Sequence, residues 1–204
     1  MEIMYSNSIN NKYFASRDFI AFMGEVSDLT TIVSEISYAK LKPNAKVKKL
    51  ITNIAYLDVM GLSYDILKLR INKLSDTKLK IVKLIHLCEK HPNLIILNNF
   101  DLGFNYKDKY KLSKLIKTIN AEYKTNFIII SNDLIFLNRL AKHLIISKNK
   151  IIKYQGDIIS AVKQGLIEKP PIIEFIELAN KEKAGLAYTL DHKELLKDIY
   201  RSVF

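Results

Sequence analysis

The sequence predicts an α/β fold: a mostly parallel sheet flanked by helices, with a small C-terminal helical extension. Three observations carry this. The short apolar runs FIAFM (19–23), LIIL (94–97) and FIII (127–130) lack period-two alternation and read as strands buried on both faces. Amphipathic segments of helical period alternate with the later runs, the pattern of a layered fold. After Gly156 the strand patterns stop and only helical ones remain.

Taken in order, residues 19–23 form a strand that ends in a turn at Gly24. Residues 30–39 carry the spacing of a short helix, and Pro43-Asn44 breaks it. Val47, Leu50, Ile51, Ile54 and Leu57 predict a helix over 45–60, stopped by Gly61. A further helix spans 77–90 and closes at His91-Pro92. Strand 94–97, helix 107–123, strand 127–131 and helix 133–141 follow. Runs 144–147 and 151–154 flank Lys148-Asn149-Lys150 as a hairpin. Pro170-Pro171 starts one late helix, and Asp191-His192-Lys193-Glu194 offers a capping box for the last. A boundary near 160 divides a domain of residues 1–160 from the helical extension, 161–204.

Composition narrows the class. With 49% hydrophobic and 26% charged residues in 204, the chain can bury a substantial core and is not of disordered type. No apolar run is long enough to cross a bilayer and no signal-peptide pattern opens the chain, so a cytoplasmic location is expected. The single Cys88 cannot form an intrachain disulfide, which agrees with that compartment. The net charge of +11 favours anionic partners, yet the lysines are spread over nearly every helix and are not gathered in one block. Solvated and membrane-proximal faces account for them better than a nucleic-acid surface does. HLCEKH (86–91) holds one thiol and two imidazoles with no fourth ligand, too few for a structural metal site. Tyr106 and Tyr110, at helical spacing, and Tyr123 beyond them read as packing or surface residues before base-stacking platforms.

One series of motifs points further. LSDTK (74–78) opens a helix and is preceded by Met60-Gly61-Leu62. The strand LIIL then runs into Asn98-Asn99, followed by Gly103-Phe104-Asn105. The next strand ends in Ser131-Asn132-Asp133, and Tyr154-Gln155-Gly156-Asp157 closes the hairpin. In this order the chain resembles ABC-transporter ATPases, which carry LSGGQ, a strand ending in Asp-Glu, a Gly-Leu-Asp loop and a Ser-His-Asp strand end. The tail, with EKPPIIEFIEL (168–178), Gly185-Leu186 and HKELLKDI (192–199), is similar to the C-terminal helices of the ATPase subunits of energy-coupling factor (ECF) transporters. The resemblance implies a truncated P-loop NTPase-like domain with a shortened helical insert at about 45–90. It also implies a cytoplasmic protein lying peripherally at the inner face of the cell membrane.

Measured against that family, the chemistry is depleted. A phosphate loop of form GxxxxGK[ST] cradles phosphates with backbone N–H groups and a lysine. Here Gly24 and the pair Thr30-Thr31 persist in outline, while the second glycine and the lysine are missing and Glu25 and Asp28 bring negative charge. Asn98 stands where the metal-associated carboxylate belongs, Asn99 where a carboxylate polarises water, and Asn132 where a histidine meets the γ-phosphate. A carboxamide cannot act as a general base. Losing even one preorganised group commonly costs about 2.7–4 kcal/mol of transition-state stabilisation. Ser75 of the signature loop is retained and is a candidate to serve a partner's nucleotide, although Asp76 and Thr77 replace glycines. Forty-two residues separate Thr31 from Leu74, and no glutamine lies among them to build the loop that touches a membrane subunit.

These residues also have plain structural explanations. Asn98-Asn99 suits a strand-to-loop junction, Gly24 a turn, and Ser75 a helix N-cap. The expectation is a non-hydrolysing pseudo-ATPase of the ABC class, binding ATP and Mg²⁺ only weakly or in trans. Its expected partner is an intact ABC ATPase subunit in a heterodimer, with a membrane-embedded transporter component beyond it. Two alternatives stay open: a divergent ATPase active only in such a heterodimer, and a basic protein that binds nucleic acid or acidic surfaces.

Overall fold

The computed structural model describes residues 2–6, 14, 19–33 and 35–203. Seven strands among them form one sheet: β1 (Glu2–Ser6), β2 (Phe19–Met23), β3 (Ser37–Tyr38), β4 (Leu94–Asn98), β5 (Asn126–Ile130), β6 (His143–Lys148) and β7 (Ile151–Gly156). Their spatial order is β3-β1-β4-β5-β2-β6-β7. The four central strands, β4, β5, β2 and β6, run parallel, and β1, β3 and β7 are antiparallel additions at the two sides. The helices are α1 (Ala55–Met60), α2 (Asp76–Cys88), α3 (Tyr106–Tyr123), α4 (Leu134–Leu140), α5 (Ile158–Lys163), α6 (Pro171–Lys181) and α7 (His192–Val203).

The unbroken apolar runs are explained by burial on both sides of the sheet. Ala21, Ile95, Leu97, Phe127, Ile129 and Leu144 belong to the larger core, shared with α1 through α6 and with Leu186, Leu190 and Leu195 of the tail. Their neighbours Ile20, Phe22, Leu94, Ile96, Ile128 and Ile145 face a second core. That second core is closed by Leu29, Ile32, Val33 and Phe14, with no α-helix among the described residues contributing to it. The segment after β2 therefore acts as the lid of one sheet face.

Local chemistry sets most helix ends. Asn105 accepts from the Asp108 amide to start α3, Asp133 from Phe136 to start α4, and Asp157 from Ser160 to start α5. Pro171 occupies the first turn of α6, where its missing N–H costs nothing. Gly61 ends α1 in the left-handed conformation at φ 66°. Only half of the expected capping box forms at α7: Asp191 Oδ1 accepts from the Lys193 amide at 2.8 Å, while Glu194 pairs with Lys197.

Two expectations are corrected. Residues 30–39 are not a helix: a 3-10 turn over Val26–Thr31 is followed by the short strand β3, and Ile32 and Val33 point into the second core. The helix expected over 45–60 is interrupted. The Val47 amide bonds to the Leu69 carbonyl, and the Thr52 and Asn53 amides both bond to Glu89 Oε1 at 2.8 Å. Only Ala55–Met60 is α-helical there. Strand β1 carries no alternation strong enough to be legible and was not expected.

Candidate functional site

In an open parallel sheet, ligands bind in the crevice beyond the carboxyl ends of the strands. Register brings three such ends level here: Asn98 of β4 lies opposite Ile130 of β5, and Ile130 opposite Phe22 of β2. A cavity of about 430 Å³ opens at this rim, lined by Met23, Gly24, Glu25, Asn98, Asn99 and Asn132 with their neighbours. Four residues singled out in the sequence thus meet in one place: Gly24, Asn98, Asn99 and Asn132. Thr30 and Ser75 are not among the described residues that line it.

Among the described residues the lining includes no lysine or arginine, and Glu25 is its one charged side chain. Among the described residues, no protein group hydrogen-bonds to the carboxamides of Asn98, Asn99 or Asn132. The Asn99 amide donates to the Ile130 carbonyl at 2.8 Å, and its backbone is left-handed at φ 49°. Asn adopts that region several times more readily than most residues, so the junction itself favours Asn there.

The loop after β2 has a compact form. The Asp28 amide donates to the Glu25 carbonyl at 2.9 Å, and the Ile32 and Val33 amides both donate to Leu29 O at 2.8 Å. Thr30 Oγ1 donates to the Ser27 carbonyl at 3.0 Å. The backbone of Thr31 ends this turn, and its side chain lies outside the described residues. The Asp28 carboxylate is buried and accepts the Lys150 amide at 2.6 Å, tying the loop to the β6–β7 hairpin. Gly24 is explained by close packing: a Cβ there would sit 2.8 Å from the Ser147 carbonyl oxygen. The loop thus spends the amides of Asp28, Ile32 and Val33 on its own carbonyls, and the Asp28 carboxylate lies against its first glycine.

Ser75 lies elsewhere, at the N-terminus of α2. It is exposed, makes no side-chain capping bond, and among the described residues its hydroxyl meets only Thr77 Oγ1, at 3.5 Å. The next turn of α2 is anchored by Lys80, which is buried, donates to the Leu102 carbonyl and pairs with Asp76 at 3.1 Å. Its ammonium also lies 5.6 Å from the Phe104 ring centroid.

Sequence reasoning missed a charged clamp behind the rim. Lys109 of α3 reaches Asp133 at 2.7 Å and Asp101 at 3.0 Å. Asp101, in the turn after β4, is buried, and its second oxygen has no hydrogen-bond partner. Burial works against a charged Lys109, but hydrogen bonds to Asp133 and Asp101 outweigh it and raise its pKa. Burial likewise works to raise Asp133, and the Lys109 ammonium and Phe136 amide reverse the sign, leaving it lowered. The missed signal was a lysine on an apolar stripe: Lys109 precedes Leu112, Ile116 and Ile119, as Lys80 precedes Leu84 and Cys88. Of the residues in HLCEKH, His86 Nδ1 lies 2.6 Å from the Leu50 carbonyl and His91 stacks edge-on against Tyr123. Cys88 is buried, and burial pushes its thiol pKa up.

No family model and no curated protein matches the sequence. Solved structures do match the fold. An archaeal ribosome recycling factor, aABCE1, in complex with the ribosomal stalk protein aP1, is 13% identical over 74% of this chain with a TM-score of 0.57. That match, like the one to an RNase-L inhibitor, spans only 37% of the other chain. An ATP-binding subunit of an ABC transporter matches at 12% identity and TM-score 0.56, over 88% of this chain and 100% of its own. The ATP-binding cassette MJ0796, a dimer bound to ADP and Pi, matches at 12% identity and TM-score 0.56, over 76% of this chain and 98% of its own. At such identities the likeness establishes architecture alone. The chain has the fold of an ABC-type ATP-binding cassette.

Proposed function

We propose that this protein is a non-hydrolysing, ABC-cassette-like subunit that acts as the partner or scaffold of an intact ATPase, in a transport complex resembling the ECF type. The observation that carries the proposal is the rim cavity: three carboxamides and Glu25 where phosphate and Mg²⁺ chemistry needs cations and carboxylates. A magnesium nucleotide does not fit these residues. The compact loop supports the same conclusion, since the Asp28, Ile32 and Val33 amides bond to its own carbonyls and the Asp28 carboxylate already holds the Lys150 amide.

A partner role is supported by the C-terminal helices. Phe175 and Leu178 on α6, and Leu196 and Tyr200 on α7, are exposed apolar side chains on a segment whose other face joins the main core. On this reading residues 161–204 form a docking extension of the domain over 1–160, held at the inner face of the membrane by its partners. A composite site is the second reading, favoured by Ser75, whose exposed hydroxyl is free of any capping bond.

Incubating the purified chain with labelled ATP and Mg²⁺, alone and with its co-purified partner, tests both. No phosphate release by the chain alone is expected, and no nucleotide binding that depends on Asn98, Asn99 or Asn132 of the strand-end cavity, with an ABC ATPase subunit recovered from the native host. Turnover by the chain alone that is lost on Ser75→Ala or Thr30→Ala would overturn the proposal. Partner-dependent turnover reduced by Ser75→Ala would establish the composite site.

A further inference from the structure

A second cavity, of about 520 Å³, lies away from the strand ends, between α3, α4 and the segment that leads into α7. Its size is that of a small-molecule site. Tyr106 and Tyr110, one helical turn apart on α3, present exposed rings to it. The Arg139 guanidinium of α4 lies 4.7 Å from the Tyr106 ring centroid and 5.4 Å from that of Tyr110. It also donates to the Tyr106 hydroxyl at 2.6 Å, which fixes the pair. Two tyrosine rings and a guanidinium plane form a stacking surface for a flat ring.

Charge completes the description. Lys107, Lys117 and Lys193 line the same cavity, so four cations surround it with Arg139, against one carboxylate, Asp191. Among the described residues none of the four cations is held in an ion pair. One oxygen of Asp191 already accepts the Lys193 amide. Unpaired cations beside a stacking surface suit one ligand chemistry: a dianionic group attached to a planar heterocycle. The rim of the sheet offers neither feature.

The geometry points to a small-molecule site for a nucleoside phosphate, formed by Tyr106, Tyr110, Arg139 and Lys193 and separate from the strand-end cavity. The ring stacks against the tyrosines, and the phosphate sits among Lys107, Lys117 and Lys193. Because α7 contributes Lys193, the bound ligand would also fasten the C-terminal helix to α3. This site does not depend on the proposed partner role.

Calorimetric titration of the full chain with AMP tests it, with adenosine and inorganic phosphate as separate arms. AMP is expected to saturate below about 1 mM and to bind more tightly than either fragment. Tyr110→Ala and Lys193→Glu, both at exposed positions, should each weaken AMP about tenfold while circular dichroism and melting temperature stay unchanged. Asn132→Ala, at the rim of the sheet, should leave AMP binding unaltered. Absence of saturation, or indifference to both Tyr110→Ala and Lys193→Glu, overturns the site. Loss of binding in Asn132→Ala alone overturns it differently, by placing the nucleotide at the strand ends, and would also overturn the proposed function. A twelve-residue uridine oligonucleotide binding more than tenfold more tightly than AMP would overturn the small-ligand assignment in favour of nucleic acid.

Discussion

The carboxylate of Asp28 accepts the backbone amide of Lys150 at 2.6 Å, joining the turn after the first parallel strand to the tip of the β6–β7 hairpin. The donor sits in a left-handed turn, with Asn149 at φ 54° and Lys150 at φ 60°. A buried acidic side chain at this point fastens the turn after β2 to the hairpin. Asp28→Ala leaves the turn amide without its charged acceptor and should cost about 2 kcal/mol, read from urea unfolding. An unchanged midpoint would show the contact to be dispensable.

Gly24 has no room for a methyl group, because the Ser147 carbonyl stands 2.8 Å from the Cβ position. Gly24→Ala should therefore lower stability by about 1–3 kcal/mol through crowding of β2 against β6. Its cost is expected to be the same with and without added Mg-ATP in the melt. A nucleotide-dependent difference would return the glycine to a phosphate-binding role.

Carboxylates placed at the strand end should not confer hydrolysis. Asn98→Asp combined with Asn99→Glu sets an acidic pair there, but among the described residues no lysine or arginine lines the cavity. Glu at φ 49° also carries a backbone penalty of about 1–2 kcal/mol that Asn largely escapes. A phosphate-release assay on the double variant is expected to stay at background, with a lowered melting temperature. Sustained turnover would mean that the loop can open.

The Lys109 clamp predicts a pH signature. Lys109→Met strands the buried Asp101 and should cost about 3 kcal/mol. The sign for Asp133 follows from its lowered pKa. Its contribution is complete above the unfolded carboxylate value of about 3.9, and is lost as pH falls from there through the folded value. For Lys109, whose pKa is raised, stability is complete below its unfolded value of about 10.4 and is lost as pH rises through the folded one. Acid titrations of stability should show a shallower fall below pH ~4 in Lys109→Met than in the parent. Equal slopes would show that the clamp contributes nothing in acid.

How far the sequence carries can be followed residue by residue. Strands β2, β4 and β5 were legible because burial on both sides leaves unbroken apolar runs, and α2 and α3 because each shows one apolar stripe. Gly24, Asn98, Asn99 and Asn132 line one cavity because the parallel register sets the ends of β2, β4 and β5 level, a relation that no local pattern in the sequence displays. The failures share a cause in long-range pairing. Helical spacing at 45–60 was real, but Glu89 and Leu69, distant in sequence, capture the amides that a helix would use. The apolar spacing over 30–39 suits a short helix, but Ile32 and Val33 instead close one face of the sheet. Asp101 and Lys109 gave only a faint signal, a cation on an apolar stripe, whose meaning depends on which acids the fold delivers to it.

The antiparallel pairing of β1 with β4 sets Glu2 directly opposite Asn98. A fluorophore placed at residue 2 would therefore stand beside Asn98 at the rim of the strand-end cavity and report on whatever enters there. Placed instead on α7, the same label would sit on the helix that carries Lys193. The two positions are vantage points on different cavities, and a pair of labelled proteins could tell which one a given nucleotide visits.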